Sequence, residues 1–127
     1  MNRLKGKTAV ITGGNSGIGL ATAQLFLEEG ATVIITGRRA DAVKQATESL
    51  GKGAFGITSD AGDMKDVRAL PLEVKKIAKQ VDILFANAGV GLFAPFNETS
   101  EDLFDSNLNV NFKGVFFTVQ GLLPLIP

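Results

Sequence analysis

A chain of 127 residues, 45% hydrophobic and 20% charged, has the length and composition of one globular domain with a sizeable core, which excludes an intrinsically disordered segment. Its 13 basic residues balance 13 acidic ones, so no global field draws it to nucleic acid or to an anionic membrane surface. Cysteine, histidine, tyrosine and tryptophan are absent, which removes disulfides, thiolate metal sites and the commonest proton-transfer side chains and leaves the redox compartment unread.

Along the chain, strand-like and helix-like segments alternate. "TAVIT" (Thr8 to Thr12) and "ATVIIT" (Ala31 to Thr36) are short β-branched runs whose unbroken apolarity suits strands covered on both faces. "GAFGIT" and "VDILFA" repeat that character more weakly. Between the strands, Ile18 to Glu29 and Asp41 to Leu50 have helical spacing, and each is closed by a glycine, Gly30 or Gly51. Asp63 to Gln80 is predicted to be helical too, with Pro71 breaking or kinking it into two short helices. "TSED" at Thr99 to Asp102 supplies a capping hydroxyl and first-turn acids for a last long helix that runs to about Pro124. The longest near-apolar tract, "VFFTVQGLLPLIP", is too short to span a bilayer and lies at the wrong end for a signal peptide, which gives a cytoplasmic reading. Strands alternating with helices predict an α/β fold, a parallel sheet with right-handed crossovers in one βαβαβαβα domain.

The stretch "TGGNSGIG", Thr12 to Gly19, lies where the first strand passes into the first helix. Free backbone N–H groups and the positive end of the helix dipole form an anion site there. Gly13 allows the sharp turn, Gly17 lets the backbone approach a pyrophosphate, Gly19 lets helix and strand pack closely, and Asn15 and Ser16 add side-chain donors. The glycines fall as G-x-x-x-G-x-G, so the common G-x-G-x-x-G fingerprint is absent. Leu20 stands where a P-loop carries lysine, which removes the point charge that nucleoside triphosphate hydrolysis needs.

NAD-binding folds tend to place an acidic residue at the end of the second strand for the ribose 2′-hydroxyl, but here the sequence reads "TGRRAD". Gly37 leaves room, and Arg38 and Arg39 offer permanently charged forks for a 2′-phosphate, so NADP(H) is favoured over NAD(H); the alternative is a solvated surface pair.

Taken together these motifs resemble the short-chain dehydrogenases/reductases. "TGGNSGIG" matches that family's T-G-x-x-x-G-x-G loop, "NAG" at Asn87 to Gly89 its motif after the fourth strand, and "NVNFKGVFF" the helix segment that carries its Asn. "SDA" at Ser59 to Ala61 resembles the turn after strand three, and the motifs occur in the family's order over the whole chain. The resemblance implies a doubly wound Rossmann-like fold with a nicotinamide cofactor at the carboxyl edge of the sheet. It also implies hydride transfer between that cofactor and a small-molecule carbonyl or alcohol. Carried onto this chain, Gly13, Asn15, Ser16, Gly17, Ile18 and Gly19 cradle the pyrophosphate, and Arg38, with Arg39 beside it, selects the 2′-phosphate. Asp60 and Ala61 flank the adenine, while Asn87, Ala88 and Gly89 approach the nicotinamide ribose with Val110 behind. Asn111 is the helix asparagine that helps position a water in the family's proton relay; read from its neighbours alone, it equally suits a buried asparagine capping a helix irregularity.

Family members are longer, and the Ser, Tyr and Lys that polarise the substrate carbonyl and move its proton lie in a second half beyond the point where this sequence stops. No residue here replaces them: Lys75, Lys76 and Lys79 read as an exposed helix face, Ser16 and Ser59 lack a neighbouring base, and no metal cluster is present. Three alternatives stay open: the cofactor half of an oxidoreductase, inactive alone; a dinucleotide-binding module without turnover; or a structural fragment. In the family's strand order "VDILFA" is interior, so it is expected to form an exposed apolar edge here. Phe104, Val110, Phe116, Phe117 and Val119 on the last helix are expected to lack partners, which predicts a homo-oligomer through that helix, as in the family's dimers. Only "GVGLFAPFNE" is available to touch a substrate, and its Phe93 and Phe96 either meet an apolar partner or pack internally.

Overall fold

The computed structural model describes residues 2–127. The apolar runs form four parallel strands, β1 Thr8–Thr12, β2 Thr32–Gly37, β3 Ala54–Thr58 and β4 Ile83–Ala86, in the order β3-β2-β1-β4. Among the described residues five α-helices accompany them: α1 Gly17–Glu28, α2 Ala40–Leu50, α3 Met64–Lys75, α4 Glu101–Leu108 and α5 Val115–Leu122. The chain moves outward from β1 to β2 and β3, then returns to place β4 on the other side of β1. This is the doubly wound, Rossmann-like arrangement, and the crevice where the winding reverses opens at the carboxyl ends of β1 and β4.

Register divides the core. Val10 is paired with Ile34 and Leu84, and Ile11 with Ile35 and Phe85. Successive strand residues point to opposite faces. Val10, Ile34 and Leu84 therefore meet Leu70 and Val74 of α3 and Leu122 of α5, while Ile11, Val33, Ile35 and Phe85 meet Ala23 of α1 and Ala46 of α2. Val10, Ile11, Val33, Ile34 and Ile35 are completely buried. Each such side chain contributes about 1.5–3 kcal/mol by leaving water, which explains why the central runs carry no alternation of polar residues.

Two expectations need correction. Pro71 lies inside a single continuous α3 instead of dividing it into two helices, and α3 ends at Lys75, short of Gln80. The missing Pro71 N–H leaves one carbonyl without its helical partner. Val67 and Leu70 before the proline and Val74 after it are all buried, so packing holds the two halves on one line. Gly121 of α5 leaves space beside the ring, since a Cβ there would lie 3.2 Å from Pro71 Cγ.

The last helical region starts as expected, with Ser100 as cap accepting a hydrogen bond from the Leu103 N–H and with Glu101 and Asp102 in the first turn. It is not uniform: a π-helical turn, Asn109–Gly114, joins α4 to α5. Val110 and Gly114 of that turn face the loop after β3, where a Cβ on Gly62 would lie 2.7 Å from Val110 Cγ2 and a Cβ on Gly114 would overlap the Ala61 carbonyl oxygen. β4 is the edge strand among the described residues, with all its residues half-buried.

Polar pairs tie the ends together. Arg3 and Glu29 form an ion pair at 3.0 Å, and the Arg3 guanidinium holds the Glu29 carboxyl down to about 2. Arg3 is exposed and Glu29 is half-buried, so solvent still screens the pair and keeps the contribution small. At the start of β1 and β4, the Thr8 N–H donates to Asp82 Oδ2 at 2.9 Å and the Asp82 N–H donates to the Thr8 carbonyl at 2.8 Å. The Thr8 N–H, and then the Gln80 amide, hold the Asp82 carboxyl below its ordinary value. A depressed folded pKa gives stability that is present above the unfolded value and lost as pH falls through the folded one. Asp82→Asn is therefore expected to lower the thermal midpoint near neutral pH, with the gap from the parent shrinking between about pH 5 and pH 3 in a calorimetric series.

Candidate functional site

The crevice is built from close backbone approaches. Gly13 has φ +66°, and a Cβ there would sit 3.0 Å from Ala88 Cα. Gly19 is packed still tighter: a Cβ would overlap the Gly13 carbonyl oxygen and lie 2.7 Å from Asn87 Nδ2. Gly17 has φ +55° with nothing within 4 Å of its open side. Any side chain at the first two positions would lift the first helix turn from the sheet, whereas the face above Gly17 is free for a ligand backbone or phosphate to approach.

Hydrogen bonds level the strand ends. The Gly14 N–H donates to Thr36 O at 3.0 Å and the Ser59 N–H to Gly37 O at 2.8 Å. Across the crevice, Asn87 Nδ2 donates to Gly13 O at 3.2 Å and the Ala88 N–H to Thr12 Oγ1 at 3.1 Å.

These contacts bound a cleft of about 330 Å³ that is lined by Gly13, Asn15, Ser16, Arg38, Arg39, Ala61, Asn87, Ala88, Gly89, Val90 and Val110. Ten of the residues expected at a cofactor from the sequence thus share one cavity. Gly17 and Ile18 are exposed at the start of α1 and Gly19 is buried beneath them, all outside the lining. Asp60 lines an adjoining hollow of about 210 Å³ with Arg38, Gly62 and Val110. Its Oδ1 accepts from the Gly62 N–H and its own N–H donates to Asp66 Oδ2, which fixes the turn against α3.

Charge is distributed unevenly around the cleft. Asp41, Asp66 and the pair Glu101 and Asp102 compensate the first turns of α2, α3 and α4, whereas α1 has no acid there and its Ser16 cap makes no side-chain hydrogen bond. The start of α1, whose Ser16 cap lines the cleft, therefore carries first-turn N–H groups and a dipole that no side chain compensates. Arg38 and Arg39 are exposed at the other strand end and form no ion pair among the described residues. No cluster of three or more His, Cys, Asp or Glu is found among the described residues. The cleft thus presents donors and positive charge from two directions, an arrangement suited to a ligand with several anionic groups.

Asn111 is not in this cleft. It sits in the π-helical turn, where both ends of its amide are engaged: Oδ1 accepts from the Val90 N–H at 2.8 Å and Nδ2 donates to Val90 O at 2.6 Å. The helix irregularity is present, but the residue is exposed instead of buried, and its side chain is committed to the loop after β4. Phe93 and Phe96 of that loop are 93% and 99% exposed, which rules out internal packing within this chain. Of the apolar residues expected on the outer helix face, Phe104, Phe116 and Val119 are exposed, but Val110 lines the cleft and Phe117 is half-buried, edge to face with Phe116.

Sequence reasoning missed Val90, Thr12 and Asn107 as structural partners of the site. Thr12 was legible as the first letter of the glycine motif, and Asn107 as the residue one helical turn before Asn111 in "NLNVN". Val90 carries no signal of its own in the sequence.

Residues 7–127 match the sequence model of the short chain dehydrogenase family. The chain belongs to this family. It is 42% identical over 126 residues to oxidoreductase asL5 of Sarocladium schorii, covering 99% of this chain and 51% of that one. It is 39% identical over 118 residues to the NADP-dependent (R)-specific alcohol dehydrogenase of Lentilactobacillus kefiri, with 91% and 47% covered. Among solved structures, the Pseudomonas aeruginosa RhlG/NADP active-site complex is similar with a TM-score of 0.91 at 32% identity, covering 96% of this chain and 48% of that one. The chain spans about half the length of the curated relatives it matches.

The contact between Gly114 and Ala61 joins the last helical region to one wall of the cleft. Gly114→Ala is expected to push the turn at residues 60–62 outward and to cost about 1–3 kcal/mol, read from urea midpoints.

Proposed function

We propose that this chain is the cofactor-binding part of an NADP(H)-dependent oxidoreductase that transfers hydride between a nicotinamide and a small-molecule carbonyl or alcohol. The observation that carries this reading is the convergence, in one cleft, of the Ser16 cap of α1, a helix with no acid in its first turn, with Arg38 and Arg39 after β2, which form no ion pair among the described residues. An NADP-dependent relative and an NADP-bound similar structure support it.

The donor set fits a dinucleotide. Asn15 and Ser16 line the cleft just ahead of α1, whose free N–H groups would meet a pyrophosphate there, and nothing lies within 4 Å of a Cβ placed on Gly17. Arg38 and Arg39 offer planar forks to a ribose 2′-phosphate, a group that an acidic residue in their position would repel. Ala61 and Val110 give apolar walls for a base, with Asp60 at the rim, and Asn87, Ala88 and Gly89 form the opposite wall, toward a nicotinamide ribose. When bound, the nicotinamide ring supplies or accepts the hydride. The residues of this chain bind and orient.

Proton transfer at the carbonyl oxygen needs a group matched to working pH. With no Tyr, His or Cys in the sequence and with the Asn111 amide paired to Val90, this chain alone is expected to bind cofactor without turning it over. A second copy is the proposed partner of the last helix, where Phe104, Leu108, Phe112, Phe116 and Leu123 stand exposed.

NADPH is expected to bind more tightly than NADH in fluorescence titrations. Arg38→Ala is expected to weaken NADPH by about 1.5–3 kcal/mol, on the order of 10- to 100-fold, with NADH changed by no more than about twofold. Equal weakening of both nucleotides would contradict the assignment of Arg38. Light scattering is expected to give more than a monomer mass at high concentration, reduced by Phe112→Ser; a clean monomer contradicts the self-association.

A further inference from the structure

Beyond Ala86 the chain no longer has a neighbouring strand, yet it stays pinned at every second residue. The N–H of Ala88 donates to Thr12 Oγ1 at 3.1 Å, that of Val90 to Asn111 Oδ1 at 2.8 Å, and that of Leu92 to Asn107 Oδ1 at 3.1 Å. The two asparagines also return a donor: Asn111 Nδ2 reaches Val90 O at 2.6 Å, and Asn107 Nδ2 reaches Leu92 O at 3.0 Å. Each carboxamide thus presents to the loop the same acceptor and donor that one residue of a paired strand would present.

The match has a geometric basis. Four residues across the junction of α4 and the π-helical turn rise no more than about 6 Å, and two residues of extended chain advance about 6.6 Å. Asparagines one turn apart on a helix can therefore hold alternate residues of an extended segment, which is the relation between 107 and 111 on one side and 90 and 92 on the other. Asn107 is itself anchored, since Nδ2 also donates to Leu103 O at 3.0 Å, one turn back in α4.

The clasped segment needs such support. It reads Gly89-Val90-Gly91-Leu92, and glycines lose more backbone freedom on ordering than any other residue. It also separates two cavities. Val90 lines the cofactor cleft, and Leu92 lines an apolar hollow of about 310 Å³ with Phe93, Phe104 and Phe112. A Cβ on Gly89 would lie 3.2 Å from Asn111 Oδ1, so the asparagine sits close beside the residue that leads into the cleft wall and leaves little room for a side chain there.

We propose that Asn107 is a positioning residue: together with Asn111 it clasps Val90 and Leu92 to the last helix as a strand-like strip, and so holds the wall of the cleft in shape for the dinucleotide. The role rests on the cofactor reading above. Asn107 touches no part of the cleft itself and acts through the backbone of residues 90–92.

The test combines amide exchange with nucleotide titration on this chain and on two variants. Asn107→Leu removes both hydrogen bonds to Leu92, together with the one to Leu103 O, at similar size. Asn107→Asp keeps the acceptor for Leu92 N–H and turns a carboxylate oxygen toward Leu92 O, so it opens the clasp even if a leucine fills the site by packing. In both variants the Leu92 amide is expected to exchange about tenfold faster while amides of β1 keep their parent rates. NADPH and NADH are expected to weaken together, about five- to tenfold, with their ratio unchanged because Arg38 is untouched. In an Asn111→Leu background, where Val90 is already released, Asn107→Leu is expected to change NADPH affinity by clearly less than the about five- to tenfold it costs in the parent, a non-additivity that general destabilisation would not produce. Parent-like Leu92 exchange, or NADPH affinity within about twofold of the parent in both variants, overturns the positioning role alone. A parent chain that binds neither nucleotide overturns the cofactor reading and, with it, this role.

Discussion

The fold around the cleft depends on one close contact, the approach of the Gly13 turn to the backbone of Ala88. It brings the end of β1 and the start of α1 within reach of the segment that leaves β4. Thr12 and Asn87 then close it with reciprocal side-chain to backbone hydrogen bonds, Ala88 N–H to Thr12 Oγ1 and Asn87 Nδ2 to Gly13 O. Gly19 completes the contact from below, because only a residue without Cβ fits between the Gly13 carbonyl and the Asn87 amide. The crevice at the point where strand order reverses is therefore a set of unfilled backbone positions held open by packing. Such a surface is apt for a ligand whose phosphates need N–H donors and whose rings need flat apolar walls.

A second layer of order comes from the last helical region. Its π-helical turn faces two loops at once, with Val110 and Gly114 against the turn after β3 and Asn111 against the loop after β4. One irregular turn thus fixes both walls of the cleft. That accounts for a wide turn in a region whose sequence is otherwise unremarkable for an α-helix, since π-helical turns recur where side chains must be redirected.

Much of this was legible before the structure. The β-branched runs gave the strands because strands buried on both faces read as continuous apolar sequence, and the glycine loop gave the crevice because each glycine answers to a turn, an open approach or a close contact. The arginines were legible from the absence of an acid in the same place. Pro71 misled because local propensity predicts a break, while Val67, Leu70 and Val74 share one buried face across it. The π-helical turn was hidden for the opposite reason: its cause lies in residues 60–62 and 90, far along the chain from 109–114. The position of Val110 in the sequence suits both a cleft and an outer-face residue, and only the tertiary contact with Gly62 decides for the cleft. Asn111 was read through the family's chemistry, and the structure adds that its side chain is committed to the Val90 backbone.

The central claim is that the cleft receives a dinucleotide with its phosphates at α1 and its 2′-phosphate at Arg38 and Arg39. Amide chemical-shift mapping of the labelled chain on addition of NADPH tests it most directly. The account predicts shifts concentrated at Gly13 and at Ser16 to Gly19, Arg38, Arg39, Ala61 and Ala88 to Val90, with NADH sparing the two arginines. No shifts, or shifts gathered elsewhere, such as the groove between α2 and β3 that Lys44, Thr47 and Gly56 line, would contradict it.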